Sequence, residues 1–278
     1  MVRGVAGPPL LHSAIVGQRQ YHLQVEAGDV GSYVLLPGDP GRCALIAAHL
    51  DGARQIASHR EFTTYTGALD GVPVSVTSTG IGGPSAAIAV EELIRVGART
   101  LVRVGSCGAL DESLGFGDVV VVQAAARGDG TPDHYAPRGF PAVADVDVVV
   151  ALRESAAAAG HRFRVGTVVT NDAFYAELEP ATFPLEARIR ASWEAWTRAG
   201  CVAAEMETAT VLTVAAVRRM RAGAVLAVID SPSQGLDGMP EPSRLPLEPV
   251  IEVAVGGLRR LIALDRAAGG GARGPSGG

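Results

Sequence analysis

The chain contains no lysine: all 24 of its basic side chains are arginine. That absence excludes Schiff-base catalysis and the lysine of a phosphate-binding P-loop. Any anion the protein binds must be held by guanidinium forks, backbone N–H groups and hydroxyls. Cysteine is scarce too. Cys43, Cys107 and Cys201 stand far apart, with no Cys-x-x-Cys pair and no His-Glu-x-x-His, so the spacing offers no structural zinc site. Aromatics amount to 5%, no basic patch interleaves with them, and the formal charge is −5, which argues against nucleic-acid binding. No apolar run reaches the roughly 18 residues of a membrane span. No basic stretch precedes an apolar core near the N-terminus, which predicts a cytoplasmic location. No strand leads into a Gly-x-Ser-x-Gly turn or a Gly-x-Gly-x-x-Gly helix start, which weakens hydrolase and dinucleotide readings.

What is present is apolar residue in abundance, 47% of 278 positions. That is enough for one sizeable core, expected over residues 1–267, with a Gly-rich tail at 268–278 expected to be disordered. Strands are predicted at Tyr33–Pro37, Arg60–Leu69, Val72–Ser78, Gly117–Val122, Arg164–Thr170 and Ala224–Asp230. Helices are predicted near Pro40–Leu50, Ser85–Val96, Val146–Ala159, Glu186–Arg198, Glu207–Arg219 and Leu247–Ala267, with Asp39 capping the first of them. Residues 171–185 read as a loop. The alternation of strands and helices predicts a three-layer α/β/α fold around a central mixed sheet.

One stretch stands out within this frame, Leu101-Val102-Arg103-Val104-Gly105-Ser106-Cys107-Gly108. It reads as a buried strand that breaks into a small-residue turn, with an arginine in its middle. A buried guanidinium is costly unless it meets an anion, so Arg103 requires a carboxylate or a phosphate. Similar small-residue turns follow at Gly38 to Arg42, Thr79 to Ser85 and Asp230 to Ser233, and Glu205-Met206-Glu207 sets two acids at a helix start. Ligands of open α/β sheets bind at such strand ends.

Taken together, Gly38-Asp39-Pro40-Gly41-Arg42, Ser58-His59-Arg60-Glu61-Phe62-Thr63, the Ser78–Ser85 turn and Glu205-Met206-Glu207 resemble the nucleoside phosphorylase family, in its uridine-phosphorylase-like branch. Val90-Glu91-Glu92-Leu93, Arg103-Val104-Gly105 and Phe140–Asp145 extend the likeness, which runs from about Tyr21 to Asp230. The resemblance implies reversible phosphorolysis of a nucleoside, with inorganic phosphate as co-substrate and no organic cofactor. It implies a phosphate site from Gly38, Arg42, Arg103 and Ser106, completed by Arg60 of a neighbouring subunit. It implies ribose contacts from Met206, Glu207 and a neighbour's His22, and base contacts from Cys107, Gly108, Phe174, Leu178 and Asp230. It further implies a monovalent cation such as potassium near Glu61, Ile81 and Ser85, and dimers that assemble into a hexamer. Arg103 and Asp230 are the catalytic candidates.

The likeness thins at the base-recognition end. The uridine enzymes carry a glutamine and an arginine where this chain has Leu178 and Pro180, and a further arginine where it has Pro232. Asp230 stands where purine-specific relatives place a proton-donating aspartate. A base preference moved toward purines or a modified base follows. A nucleosidase using water and a silent nucleoside-binding oligomer are the rival readings, and dependence on phosphate separates the first.

Overall fold

The computed structural model describes residues 19–230, 240–241 and 244–269. The Gly-rich tail from 270 onward and Pro232 lie outside these. The chain runs through β1 (Tyr33–Leu36), α1 (Gly41–Ala47), β2 (Asp51–His59), β3 (Phe62–Leu69), β4 (Val72–Thr77), α2 (Gly83–Arg95) and β5 (Thr100–Ala109). It continues through β6 (Val119–Arg127), β7 (Ala142–Val143), α3 (Val146–Ala158), β8 (Phe163–Thr170), α4 (Tyr175–Leu178) and α5 (Glu186–Arg198). The last elements are β9 (Cys201–Glu205), α6 (Thr208–Val217), β10 (Arg221–Asp230) and α7 (Leu247–Ala267).

Side-chain alternation along the strands builds two cores, one on each face of the sheet. Val34, Leu36, Leu101, Val120, Val122 and Leu226 point to one side, where α2 and α6 cover them. Leu35, Val102, Val104, Val119, Val121 and Val225 point to the other, under α1, α3 and α7. The three layers expected from the alternation of strands and helices are present.

All ten strands join one mixed sheet, in the order β10-β6-β8-β9-β5-β1-β4-β3-β2, with β7 paired to β6. The sheet also closes partly on itself. β5 pairs in parallel with β10 from Thr100 to Gly108, while its last two residues pair antiparallel with β9 at Ala203 and Ala204. Five strands thus form a ring, and β1, β4, β3 and β2 extend from it.

Several sequence expectations need correction. The stretch after Arg103 is no turn: β5 continues through Gly105 and Cys107 to Ala109, because β10 supplies a partner along its whole length. β2 and β9 are strands that the sequence does not announce. The first is polar and largely exposed, and the second is short and alanine-rich. The 171–185 loop contains α4 and a short 3-10 turn at Pro180–Thr182. Asp39 sits one residue before the helix cap, Pro40, and its Oδ1 accepts the Gly41 N–H at 2.8 Å.

At the sheet end where β1, β5 and β10 begin, Asp265 of α7 gathers Tyr33 and Arg221. The Tyr33 hydroxyl donates to Asp265 at 2.5 Å, and Arg221 reaches both Asp265 and Thr100. Burial and the neighbouring carboxylate push the Tyr33 phenol up to about 12.

Close backbone approach explains Gly31, just before β1. A Cβ there would lie 2.2 Å from the Pro73 carbonyl oxygen. Pro73 belongs to β4, which is paired on both sides and has no room to retreat. Gly31→Ala is therefore expected to cost roughly 1–3 kcal/mol, read as a lower denaturant midpoint. An unchanged midpoint would mean that this strand yields freely.

Candidate active site

The C-terminal ends of β5, β9 and β10 open onto a cleft of about 880 Å³, walled also by the turns after β1 and β4 and by α4 and α5. Arg103 lies at its floor with only 5% of its side chain exposed. Its Nε donates to Glu205 Oε2 at 2.9 Å and its Nη2 lies 2.5 Å from Glu207 Oε2. Of the two anions that the sequence left open for Arg103, the chain itself supplies carboxylates. The guanidinium folds back over Gly105, two residues along the same strand face. A Cβ at 105 would stand 2.8 Å from Arg103 Cζ, so only glycine leaves room for it.

Glu205 is fully engaged. Besides Arg103 it accepts the Glu207 and Thr208 backbone N–H groups at 2.9 Å, and the Thr170 hydroxyl at 2.5 Å. The two amides belong to the first turn of α6, so Glu205 does the work of a capping side chain from the preceding strand. Glu207 is held differently. Its Oε1 accepts the Gly82 N–H at 2.6 Å, and its carboxylate faces the cleft beside half-exposed Met206. Burial pushes the Glu207 carboxyl above the usual carboxylate range; Arg103 pulls it back, and the Glu205 charge adds to the push. Burial is the largest of these effects, which is why the upward direction wins. From the sequence, a role is expected for Glu207 alone of the two acids. The Glu-x-Glu spacing was the available signal that Glu205 turns toward Arg103 as well.

Arg42 is the second cation of the lining. Its Nε is buried with no hydrogen-bond partner among the described residues, and Asp39 is 3.9 Å away. Burial and the Arg103 charge both push its pKa down. A guanidinium of the lining whose Nε makes no hydrogen bond is suited to an incoming anion. Gly38 joins it, tied to the next turn by the Gly80 N–H donating to its carbonyl at 2.9 Å.

The remaining candidates divide cleanly. Ser106, Cys107, Gly108, Phe174, Leu178, Met206 and Asp230 all line the cleft. Cys107 is nonetheless buried, its thiol 3.6 Å from the Ala227 carbonyl, and burial raises it far above reactive thiols. Pro180 is buried and lines nothing there. Glu61, Ile81 and Ser85 form part of the rim, where the Ser85 hydroxyl donates to Glu61 at 2.9 Å. Among the described residues no group of three or more His, Cys, Asp or Glu could hold a metal ion.

His22 and Arg60 are absent from the lining. His22 Nδ1 is 2.7 Å from buried Glu92, and its carbonyl oxygen lies 2.9 Å from His59 Nδ1. That contact sets the Tyr21-His22 segment against the β2–β3 turn carrying Arg60. Arg60 itself is exposed with φ of 54°. The two residues expected from a neighbouring subunit thus share one surface. No helix among the described residues is long and apolar enough to cross a membrane.

Glu205 carries most of the electrostatic order here. Glu205→Ala is expected to destabilise the fold by roughly 3–5 kcal/mol, since it strips a buried arginine and two helix amides of their acceptor. Equilibrium denaturation checks this, and a loss below about 1 kcal/mol would show that water replaces the carboxylate.

The chain is 43% identical to a uridine phosphorylase of Treponema pallidum, over 88% of this chain and 95% of the relative. It is 40% identical to the uridine phosphorylase of Escherichia coli, over 87% and 98%. A guanosine phosphorylase of Halorubrum lacusprofundi is 41% identical, over 76% and 83%. The Phosphorylase superfamily matches residues 32–262, every strand of the sheet included, and the chain belongs to that superfamily.

Proposed function

We propose that this protein is a nucleoside phosphorylase that uses inorganic phosphate to cleave a nucleoside into free base and (deoxy)ribose 1-phosphate. The observation that carries the reading is Glu207. Its carboxylate is fixed by Gly82 and Arg103 in a cleft that also holds Arg42, whose Nε makes no hydrogen bond among the described residues, and an apolar wall. A fixed carboxylate accepts two neighbouring ribose hydroxyls at once. Arg42, with the Gly38 turn and the Ser106 hydroxyl, offers donors to phosphate. Phe174, Leu178 and Met206 offer apolar surface to a planar base.

In the reaction a phosphate oxygen attacks C1′ as the bond from C1′ to the base nitrogen breaks, and that electron pair leaves with the base. Arg42 and Arg103 hold positive charge near the dianion and the ribose, so positioning and electrostatics supply most of the rate. Asp230 lines the cleft at the end of β10, and in this reading it gives a purine ring its proton. We assign the base preference to purines, because no glutamine or arginine lines the wall formed by α4 and α5. The family's relatives named for uridine and for guanosine bracket that choice.

We place the enzyme in the cytoplasm as a dimer-based oligomer, with Arg60 and His22 completing a neighbour's cleft. Exposed Tyr21, which packs edge-on against His22, and exposed Ile81 of the rim, 72% and 78% accessible, supply apolar surface for such an assembly. A potassium-class cation at Glu61, Ile81 and Ser85 of that shared rim belongs to the same proposal.

Base release from guanosine, inosine, adenosine and uridine, followed with and without phosphate, tests the reaction. Turnover is expected to require phosphate, and equal turnover in its absence would make the protein a nucleosidase. Glu207 must be ionised to bind the diol, and its pKa is raised. As pH falls, kcat/KM should therefore drop at a pH above the ordinary carboxylate range. Arg60→Ala is expected to raise the phosphate KM about tenfold without changing the melting temperature. An unchanged KM, or a fully active monomer in sedimentation, would remove Arg60 from the site.

A further inference from the structure

The wall formed by α4 and α5 contains one charged group that the reaction does not use. Glu177 lies on α4, half-buried, and lines the cleft beside Phe174, Leu178 and Trp193. Its backbone carbonyl accepts the Trp193 indole N–H at 3.3 Å, which ties α4 to α5 and fixes where the side chain starts. Its carboxylate has no hydrogen bond or ion pair among the described residues. Burial alone pushes it upward, with no cation nearby to oppose the shift. The lining cations, Arg42 and Arg103, are neighbours of each other and of Glu207. Residues 231–239, which follow Asp230, include no arginine, lysine or histidine.

A half-buried carboxylate without a partner is a cost unless something brings N–H groups to it. The nucleobases differ sharply in what they bring. Uracil presents one N–H between two carbonyl oxygens, and a carboxylate repels both oxygens. Adenine sets a bare ring nitrogen beside its amino group. Hypoxanthine offers a single ring N–H. Guanine alone among these places a ring N–H and an amino group side by side, a pair of donors that fits the two oxygens of one carboxylate.

Building on the phosphorylase reading above, we infer that Glu177 is a specificity-determining residue that reads the N1–H and 2-amino edge of a 6-oxo-2-aminopurine, making guanine nucleosides the substrate class. Phe174, Leu178 and Trp193 enclose the ring while Glu177 meets its edge. The distinction between guanosine and inosine is then the 2-amino group, and it rests on this one side chain.

The test measures phosphate-dependent base release from guanosine, inosine and uridine by the wild-type protein and by Glu177→Gln and Glu177→Ala. Guanosine is expected to exceed inosine about tenfold in kcat/KM, and both variants should bring that ratio close to one. The amide of Glu177→Gln turns a donor toward the guanine donors, so its loss should fall on guanosine. Calorimetric binding of free guanine and hypoxanthine to the unaltered protein gives a second readout, with guanine expected to bind tighter. A ratio that survives both variants, equal binding of the two bases, or uridine as the leading substrate would overturn this assignment and leave phosphorolysis standing. Failure of every nucleoside to show phosphate-dependent cleavage would overturn phosphorolysis itself, and the assignment with it.

Discussion

A buried arginine held between two carboxylates is the constraint on which the cleft depends. Arg103 leaves β5, Glu205 ends β9 and Glu207 precedes α6, so one cluster joins two strands and a helix start. Thr170, the last residue of β8, joins through its hydroxyl. Such a cluster is expensive to assemble and more expensive to break. The energy it holds back from stability is spent on placing Glu207, whose remaining acceptor capacity faces the cleft.

The sheet gives that cluster its position. Parallel pairing of β5 with β10 continues to Gly108 and Asp230, so two strands deliver small or acidic residues to the same rim. The antiparallel crossing with β9 at Gly108 and Ala109 then brings Glu205 toward Arg103. The ring of five strands is thus what converts separate sequence motifs into neighbours. Outside the ring, β2 and β3 carry the turn in which Glu61 reaches the cleft rim while exposed Arg60 does not line this chain's own cleft.

Much of this was legible in the sequence, for identifiable reasons. Valine runs such as Val119–Val122 announce strands covered on both faces, and the Ala-rich helices keep their period against the sheet. The short motifs around Gly38, Gly80 and Glu205 were readable because each forms one local turn. What escaped depended on contacts distant in sequence. Gly105 looked like a chain breaker, whereas it makes space for the arginine two residues earlier. Glu205 looked like a companion of Glu207, since nothing local says that a strand's last residue caps the following helix. The polar β2 shows no alternation, and β9 is too short to show any. Glu177 was passed over because four residues of helix inside a presumed loop leave no periodic trace.

The Tyr33, Arg221 and Asp265 contacts sit where β1, β5 and β10 begin, at the opposite end of the sheet from the cleft. They pin the last turns of α7 to that end, so the backbone leaves the helix at Ala268 on the side remote from Arg42 and Glu207. An affinity handle or fluorescent label attached beyond this point would leave the approach to the cleft open. That makes the carboxyl-terminal side of α7 the attachment point of choice for immobilising the protein while its cleft is titrated.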